Sequence, residues 1–254
     1  MSLTVLVLAA GYATRLRELT QDRPKPLLPV AGKPMIEWVL GKLSAIPEIT
    51  RVIVVTNAKF AATFEAWAAA YRPQHPRWEI TVVNDGSTTN ENRLGAIGDI
   101  HFTLNQVPVA GDLIVVAGDN LFSHSLADFG RFCLAKKEPV LAVYDVGSLE
   151  EVKKYNSIDV APDGRITHFV EKAPHPTSTL TGIALYYYPQ HVLPLVRQYI
   201  AEGNNPDQPG RLVQWMFPRR PFYTWRVPGT WYDIGSRETF EEANRVFATI
   251  PLES

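Results

Sequence analysis

Short apolar runs rich in β-branched residues alternate with helix-like segments through the first half of the chain. Four runs have the length and composition of buried strands: Leu3–Ala9, Arg51–Thr56, Trp78–Val83 and Leu113–Ala117. Helical periodicity covers the segments between them, at Met35–Ile46, Ala61–Tyr71 and Arg93–Leu104. Parallel strands need long crossovers of this kind. The alternation therefore predicts a Rossmann-like α/β fold, with a mostly parallel sheet between layers of helices.

The pattern changes after Pro139. Strand candidates now follow one another closely, at Pro139–Val146, Ile158–Val160, Arg165–Glu171 and Gly182–Tyr188. Helical patterns return at His191–Ala201, Arg211–Met216 and Ser236–Ala248. We therefore expect antiparallel strands to be added to the sheet in the second half. The chain has no repeat and no long linker, so we expect one domain over residues 1–254.

The charge balance and cysteine content limit the function classes. With 25 Lys and Arg against 26 Asp and Glu, the net charge is −1, and no overall field attracts nucleic acid or an anionic membrane. Cys133 is the only cysteine, which excludes a disulfide framework and fits a reducing compartment. No basic region precedes the short apolar run in Met1–Ala10. We therefore interpret it as the first strand of a cytoplasmic protein, not as a leader or a membrane span.

Positive charge gathers directly after the first predicted strand. The segment Leu8–Pro29 contains Gly11, followed by Arg15 and Lys25. Ligands of open α/β sheets bind at the carboxyl ends of strands, and glycine lets backbone amides approach an anion closely. The loop therefore predicts a polyphosphate site, with a plain solvated basic loop as the alternative. It matches neither a Walker A loop nor a G-x-G-x-x-G dinucleotide motif, which argues against an oxidoreductase.

Two aspartates are placed to bind a divalent cation. Asp119 follows the apolar run LIVVAG, and Asp233 lies in WYDIG just before a helix. Mg²⁺ prefers one or two carboxylates together with water and phosphate oxygens, so two aspartates from distant parts of the chain could together hold one ion against a nucleotide phosphate. Taken singly, each has a structural alternative, since Asp119 is able to start a turn and Asp233 to cap a helix.

Five motifs occur in order along the chain: LAAGYATRLRELTQDRPKPLLPVAGKPMI (8–36), VVAGDNLF (115–122), VEKAP (170–174), TGIALYYYP (181–189) and GTWYDIGSRETFEEAN (229–244). Together they resemble the nucleoside-diphosphate-sugar pyrophosphorylases, or sugar-1-phosphate nucleotidyltransferases, of the glucose-1-phosphate thymidylyltransferase type. Ala13 stands where that family has its second loop glycine. We expect alanine to take a more ordinary backbone conformation there, which would tighten or shift the loop.

The resemblance implies Mg²⁺-dependent transfer of a nucleotidyl group from an NTP to a sugar 1-phosphate, with release of pyrophosphate. It implies a nucleotide-binding half over about residues 1–120 and a sugar-phosphate-binding half over about 121–254. The catalytic residues would be Arg15, Lys25 and Asp119, with Asp119 and Asp233 on the metal. The implied nucleotide contacts are Leu8, Ala9, Ala10, Gly11, Tyr12, Ala13, Thr14, Asn84, Gly95 and Gly118. The implied sugar-phosphate contacts are Asn120, Tyr155, Asn156, Glu171, Lys172, Thr181, Gly182 and Trp231.

Glu171 and Lys172 can serve one ligand only under a geometric condition. Adjacent side chains on a strand point to opposite faces, so the strand must end or bend at this position. The following Ala173–Pro174 favours such an end, because proline breaks the hydrogen-bond ladder. We expect Lys172 to bind the acceptor phosphate and Glu171 to bind hydroxyls. The alternative is an ordinary strand with Lys172 in solvent.

Three questions stay open at the level of sequence. A phosphocholine-type cytidylyltransferase would share the loop and the aspartates, and a non-catalytic nucleotide-binding subunit would share the fold. The polar segment Asp85–Asn92 is atypical for the family; Asn90–Arg93 either contact nucleotide or form a solvent loop in which Asn92 caps the next helix. The expected partners are an NTP and a sugar 1-phosphate, without nucleic acid or membrane, and assembly into a homo-oligomer is left open.

Overall fold

The computed structural model describes residues 2–250, which form thirteen strands and nine α-helices. The strands are β1 Leu3–Leu8, β2 Pro29–Val30, β3 Lys33–Pro34, β4 Ile49–Thr56, β5 Glu79–Asn84, β6 Asp112–Ala117, β7 Asn120–Phe122, β8 Val140–Asp145, β9 Asn156–Val160, β10 Ile166–Glu171, β11 Leu180–Tyr188, β12 Tyr223–Arg226 and β13 Trp231–Asp233. The α-helices are α1 Arg17–Thr20, α2 Met35–Leu43, α3 Ala61–Tyr71, α4 Ala96–Gln106, α5 Ala127–Lys136, α6 Leu149–Val152, α7 Leu193–Ala201, α8 Pro209–Met216 and α9 Arg237–Phe247.

A seven-stranded sheet lies at the centre, in the order β12-β8-β11-β6-β1-β4-β5. Only β11 runs antiparallel to its neighbours, β6 and β8, and the other pairs are parallel. Three two-stranded antiparallel ribbons, β2–β3, β7–β13 and β9–β10, lie outside this sheet. The predicted fold, a mostly parallel mixed sheet with added antiparallel strands, is confirmed.

Helices cover both faces of the central sheet. Val5 and Val7 of β1 pack on the face covered by α2, α3, α5 and α9, whereas Leu6 packs on the face covered by α4, α7 and α8. A strand buried on both sides is almost entirely apolar, which is why β1, whose one polar residue Thr4 is itself buried, shows no alternation of polar and apolar residues. No helix within residues 2–250 is long and apolar enough to cross a lipid bilayer.

The predicted strands and helices agree with the structure to within three residues at their ends, but some elements were missed. Helix α4 was expected from Arg93 and begins at Ala96, because Gly95 has a φ of +80° and starts the helix abruptly. The alternative in which Asn92 caps this helix is therefore wrong. Helix α5 and strand β12 were not predicted, since neither has a long apolar run.

Candidate active site

The Gly11 loop, residues 9–14, follows the carboxyl end of β1. Hydrogen bonds hold this region to residues at the ends of the neighbouring strands. The Gly118 amide donates to the Leu8 carbonyl oxygen at 3.0 Å. The buried Asn57 side chain, just after β4, donates to the Ala10 carbonyl oxygen at 3.0 Å. Asn57 was not predicted as a site residue, because a lone asparagine after a strand is also an ordinary turn residue. The loop and Asp119 thus lie at one edge of the sheet, as expected.

Ala13 corrects the expectation about the loop. Its φ is +47°, so alanine adopts the left-handed conformation that glycine favours. The Ala13 carbonyl oxygen accepts the Leu16 amide at 2.9 Å, in the turn that leads into α1. Replacement of the family glycine therefore leaves a glycine-like backbone in place, at a cost of roughly 1–2 kcal/mol for the left-handed alanine.

Lys25 reaches the same edge from the 3₁₀ turn Lys25–Leu27. Its Nζ lies 2.6 Å from Asp119 Oδ2, in an ion pair that is mostly shielded from solvent. Gly118 permits this approach, since a Cβ there would lie 3.0 Å from the Cβ of Pro26. The glycine before Asp119 therefore lets the lysine segment pack directly against the end of β6.

Asp233 joins this pair through the β7–β13 ribbon. Asp233 lies directly opposite Asn120, the residue that follows Asp119. Burial raises the pKa of Asp233 to about 6, and the nearby Asp119 carboxylate adds to the increase, while Lys25 and Arg15 act against it. The structure thus brings together four charged groups from three distant parts of the sequence.

The two carboxylates fit a divalent cation. They are hard oxygen donors that repel each other beside a cleft, and a cation between them would relieve that repulsion. Among residues 2–250, no third carboxylate, histidine or cysteine completes an all-protein metal cage. This is the donor set that Mg²⁺ uses when water and phosphate oxygens supply the other ligands.

An open cleft of about 240 Å³ lies over these groups. It is lined by Ala13, Thr14, Arg15, Leu16, Lys25, Asp233 and Gly235. Arg15 is exposed at its rim, and Lys25 and Asp233 contribute opposite charges to its wall. The cleft has the size and charge to accept phosphate groups.

The turn that follows β5, residues 84–87 and here called the Asn84 turn, also contacts the Gly11 loop. Tyr12 Oη lies 3.4 Å from the hydroxyl of the buried Ser87, and the exposed Asn84 accepts the Gly86 amide through Oδ1 at 2.9 Å. Gly95 is buried, because the backbone of Asp207 covers it. The Asn84 turn thus borders the loop, whereas Gly95 has one side closed by protein.

The polar segment after this turn is held by its own contacts. Asn92 Oδ1 accepts the amides of Thr88 and Thr89 at 3.0 and 2.9 Å. Arg93 forms a two-bonded ion pair with Asp207, at 3.2 and 3.1 Å. These contacts account for Asn92 and Arg93; a nucleotide contact by Asn90–Arg93 stays a prediction.

On the acceptor side, strand β10 ends at Glu171, and Lys172 has a φ of +51°. The Lys172 amide donates to the Tyr155 carbonyl oxygen at 2.7 Å. The predicted end of the strand between Glu171 and Lys172 is confirmed. The two side chains therefore need not point to opposite faces of a strand. Lys172 is exposed.

The Glu171 carboxyl group lies against the first turn of α8. Oε2 is in contact range of Gly210, where any Cβ would overlap it, and the Gln214 side chain accepts the Glu171 amide at 3.1 Å. Burial raises the pKa of Glu171 to about 7, while the charges of Lys172 and Arg211 act against the increase. Arg211 was missed by the sequence analysis, since the only signal was a single basic residue at the start of a helix.

Three predicted acceptor residues form a closed internal cluster instead of an exposed surface. Asn156 Oδ1 accepts the Gly182 amide at 2.6 Å, and its Nδ2 donates to the Gly182 carbonyl oxygen at 2.9 Å. The Thr181 hydroxyl donates to the Asn156 carbonyl oxygen at 2.9 Å, and both side chains are buried. These residues therefore join β9 to β11, and their polar groups are already paired within the protein.

Tyr155 and Trp231 connect the acceptor side to the carboxylates. Their ring centroids are 5.5 Å apart in an edge-to-face contact. Burial raises the pKa of Tyr155 to about 12, and the charges of Asp233 and Glu151 add to the increase. Tyr155 thus lies between the strand end at Lys172 and the Asp233 carboxylate.

Known proteins resemble this chain in sequence and in fold. The sequence profile described as "Nucleotidyl transferase" matches residues 4–249. The chain belongs to the nucleotidyl transferase family. This family member is 24% identical over 256 residues to the glucose-1-phosphate adenylyltransferase of Bacillus subtilis, a match that covers 94% of the chain and 65% of the relative. It is 21% identical over 240 residues to the bifunctional protein GlmU of Methanocaldococcus jannaschii, with 94% and 53% covered.

The chain therefore spans between about half and two thirds of the length of these two relatives. Its fold matches the crystal structure of a UDP-glucose pyrophosphorylase complexed with UDP-glucose, with a TM-score of 0.80 and 22% identity over 97% of this chain and 98% of the other. The resemblance found in the sequence motifs is thus confirmed at the level of the family and the fold.

Proposed function

We propose that this protein transfers a nucleotidyl group from an NTP to a sugar 1-phosphate and releases pyrophosphate. The observation that supports it best is the convergence of Lys25, Asp119 and Asp233 beside the Gly11 loop. Relatives with assigned substrates include a glucose-1-phosphate adenylyltransferase, and a structural neighbour is a UDP-glucose pyrophosphorylase. These proteins use different bases, so the base is not part of the proposal.

The nucleotide would bind along the Gly11 loop, with its base towards the Asn84 turn. Backbone amides of the loop and the Arg15 side chain would hold the β- and γ-phosphates, which become the leaving pyrophosphate. Lys25 would neutralise charge at the α-phosphate. Asp119 and Asp233 would hold Mg²⁺, which when bound supplies further positive charge at the phosphates.

The acceptor would bind on the side of Tyr155, Glu171 and Lys172. Lys172 would hold its phosphate, and Glu171 would accept hydrogen bonds from sugar hydroxyls. The acceptor phosphate is already ionised near neutral pH, so no general base is needed. Catalysis would then depend on positioning of the two substrates and on charge neutralisation by the protein. On this proposal, residues of about 1–120 bind the nucleotide and those of about 121–254 bind the acceptor.

The test is release of pyrophosphate from a matrix of five NTPs against common sugar 1-phosphates and phosphocholine. We expect release with at least one sugar 1-phosphate in the presence of Mg²⁺. Lys25→Ala and Asp233→Asn should each lower kcat by about 10²–10³, the usual cost of losing one preorganised charge contact.

Asp128→Asn is the matched control, because this exposed aspartate on α5 pairs with the neighbouring Arg131. It should keep the wild-type rate. Release with phosphocholine alone would replace the sugar acceptor by an aminoalcohol phosphate. No release with any pair from folded protein would overturn the proposed function and favour a nucleotide-binding regulatory subunit.

A further inference from the structure

Asn120 occupies the position between the two carboxylates. It follows Asp119 in sequence, lies opposite Asp233 in the β7–β13 ribbon and is 3% exposed. Its Nδ2 lies 3.2 Å from Asp119 Oδ1 and 3.5 Å from Asp233 Oδ1. One side-chain amide therefore faces both of the groups expected to share a cation.

Trp231 fixes which end of this amide faces the carboxylates. The indole Nε1 lies 2.9 Å from Asn120 Oδ1, and an indole N–H can only donate. The carbonyl oxygen of Asn120 must therefore face Trp231, and the NH₂ group must face the aspartates. Trp231 is 8% exposed and is packed against the rings of Tyr144 and Tyr155, so its own orientation is set by neighbours.

We propose that Asn120, oriented by Trp231, is the positioning residue that holds Asp119 and Asp233 at the spacing needed to bind one divalent cation. The NH₂ group has two hydrogens, one for each carboxylate, and so counteracts the repulsion that would otherwise separate them. This inference rests on the proposed function, because it concerns the metal site of that reaction. Residues that orient metal ligands typically change metal affinity 10–100-fold when they are replaced.

This role differs from the sugar-phosphate contacts that the resemblance implies for Asn120 and Trp231, which stay predictions. Both hydrogens of the Asn120 amide group are directed at carboxylates, and the Trp231 indole hydrogen is directed at Asn120. Neither side chain has a hydrogen-bond donor left for a sugar or a phosphate. A hydrogen bond donated by either side chain to a sugar would first have to break the arrangement around the aspartates.

The direct test is Mn²⁺ binding to the intact protein, followed by electron paramagnetic resonance of the free ion, in the presence of a non-hydrolysable NTP analogue. Asn120→Leu keeps the volume and removes both interactions, so we expect roughly 10–100-fold weaker Mn²⁺ binding. Trp231→Phe keeps a ring and removes only the indole donor, so binding should weaken less, in the same direction.

Tyr232→Phe is the matched control, because Tyr232 lies next to Trp231 on β13 but donates to Glu242 at 3.1 Å. It should bind Mn²⁺ like the wild type. A positioning role also predicts that excess Mn²⁺ restores much of the kcat of Trp231→Phe, which a general folding defect would not allow. If Asn120→Leu does not fold, Trp231→Phe decides the question.

Two outcomes separate failure of this inference from failure of the proposed function. Wild-type Mn²⁺ affinity in folded Asn120→Leu and Trp231→Phe, with wild-type protein that binds Mn²⁺ and releases pyrophosphate, would overturn only the role of Asn120. Wild-type protein that binds no Mn²⁺ and releases no pyrophosphate would overturn both.

Discussion

Asp99, in the first turn of α4, shows how a single buried group ties the Asn84 turn to a helix. Asp99 is 6% exposed, as is the neighbouring Asp85, and Asp99 Oδ1 has no hydrogen-bond partner among residues 2–250. Burial raises the pKa of Asp99 to about 8, and the charge of Asp85 and a hydrogen bond to it add to the increase. Ser87 donates to Asp85 through its amide and its hydroxyl. The raised pKa thus favours a protonated Asp99 at neutral pH, which joins the turn after β5 to α4.

This shift fixes the sign of a pH effect on stability. An unfolded chain loses the Asp99 proton near a pKa of about 3.9, whereas the folded protein keeps it to about pH 8. The folded state therefore binds more protons in this window, and Asp99 lowers the free energy of unfolding as pH rises through it, by at most about 1.4 kcal/mol for each pH unit. Below about pH 4 the Asp99 carboxyl group is protonated in both states, so this loss of stability is absent.

We expect Asp99→Asn to remove this dependence. Relative to the wild type, the variant should gain stability as the pH rises from about 5 to about 8, and the difference should level off above pH 8, in urea unfolding followed by circular dichroism. Asp22→Asn, at an exposed aspartate, is the control and should track the wild type at every pH. A difference between Asp99→Asn and wild type that stays constant with pH would contradict the assignment.

At the scale of elements, the start of α4 depends on a segment from the other half of the chain. The amides of Ala96 and Ile97 donate to the carbonyl oxygens of Asp207 and Pro206, at 3.0 and 2.8 Å. Backbone groups of 206–207 thus satisfy the amides that a side-chain cap would otherwise bind. Gly95 makes the approach feasible, since a Cβ there would lie 2.6 Å from Asp207 Cα.

Gly95→Ala and Gly86→Ala separate this packing from backbone strain. Both glycines have a φ of +80°, but a Cβ at Gly86 would meet nothing within 4 Å. We expect Gly86→Ala to cost about 1–2 kcal/mol, from the left-handed backbone alone. Gly95→Ala should cost about 1–3 kcal/mol more, because the 206–207 segment must move. The measurement is urea unfolding of both variants, and equal losses would show that the segment is not packed tightly on Gly95.

The elements predicted from the sequence share one property: each is indicated by residues that lie close together in the chain. Strand β1 is almost entirely apolar because it is buried on both faces, so it was predicted from the sequence. Strand β12 is a partly exposed edge of the sheet, and its mixed residues gave no such signal. The contact between Asn120 and Trp231 was not predicted, for a similar reason. Their hydrogen bond joins residues 111 positions apart, and no single-sequence pattern reports it.

At the scale of the whole molecule, the two proposed functional halves share one sheet. Strand β11, from the second half, lies between β6 and β8 and pairs with both. The proposed boundary near residue 120 falls at the start of β7, whose partner is β13. A division at this point would break the ribbon that brings Asp233 to Asp119. The halves should therefore fold as one cooperative unit.

Core truncations in each half test this single unit. Leu6 in β1 and Leu185 in β11 are both 0% exposed, and they pack on opposite faces of the sheet. Each Leu→Ala change should cost about 2–5 kcal/mol. In a cooperative protein, Leu6→Ala and Leu185→Ala must each shift one common transition, whether it is followed by far-ultraviolet circular dichroism, tryptophan fluorescence or calorimetry.

Independent halves would respond differently to the same two substitutions. Leu6→Ala would lower the stability of the nucleotide half and leave a second transition at its wild-type position, and Leu185→Ala would do the reverse. Leu149→Ala is the control, because this leucine is 46% exposed and should move the transition little. Since β11 contacts β6 along four paired residues, Leu185–Tyr188, loss of either half should remove the pairing of the other. We therefore expect coincident transitions with all three probes, and two separated transitions in either variant would show that the shared sheet does not couple the halves.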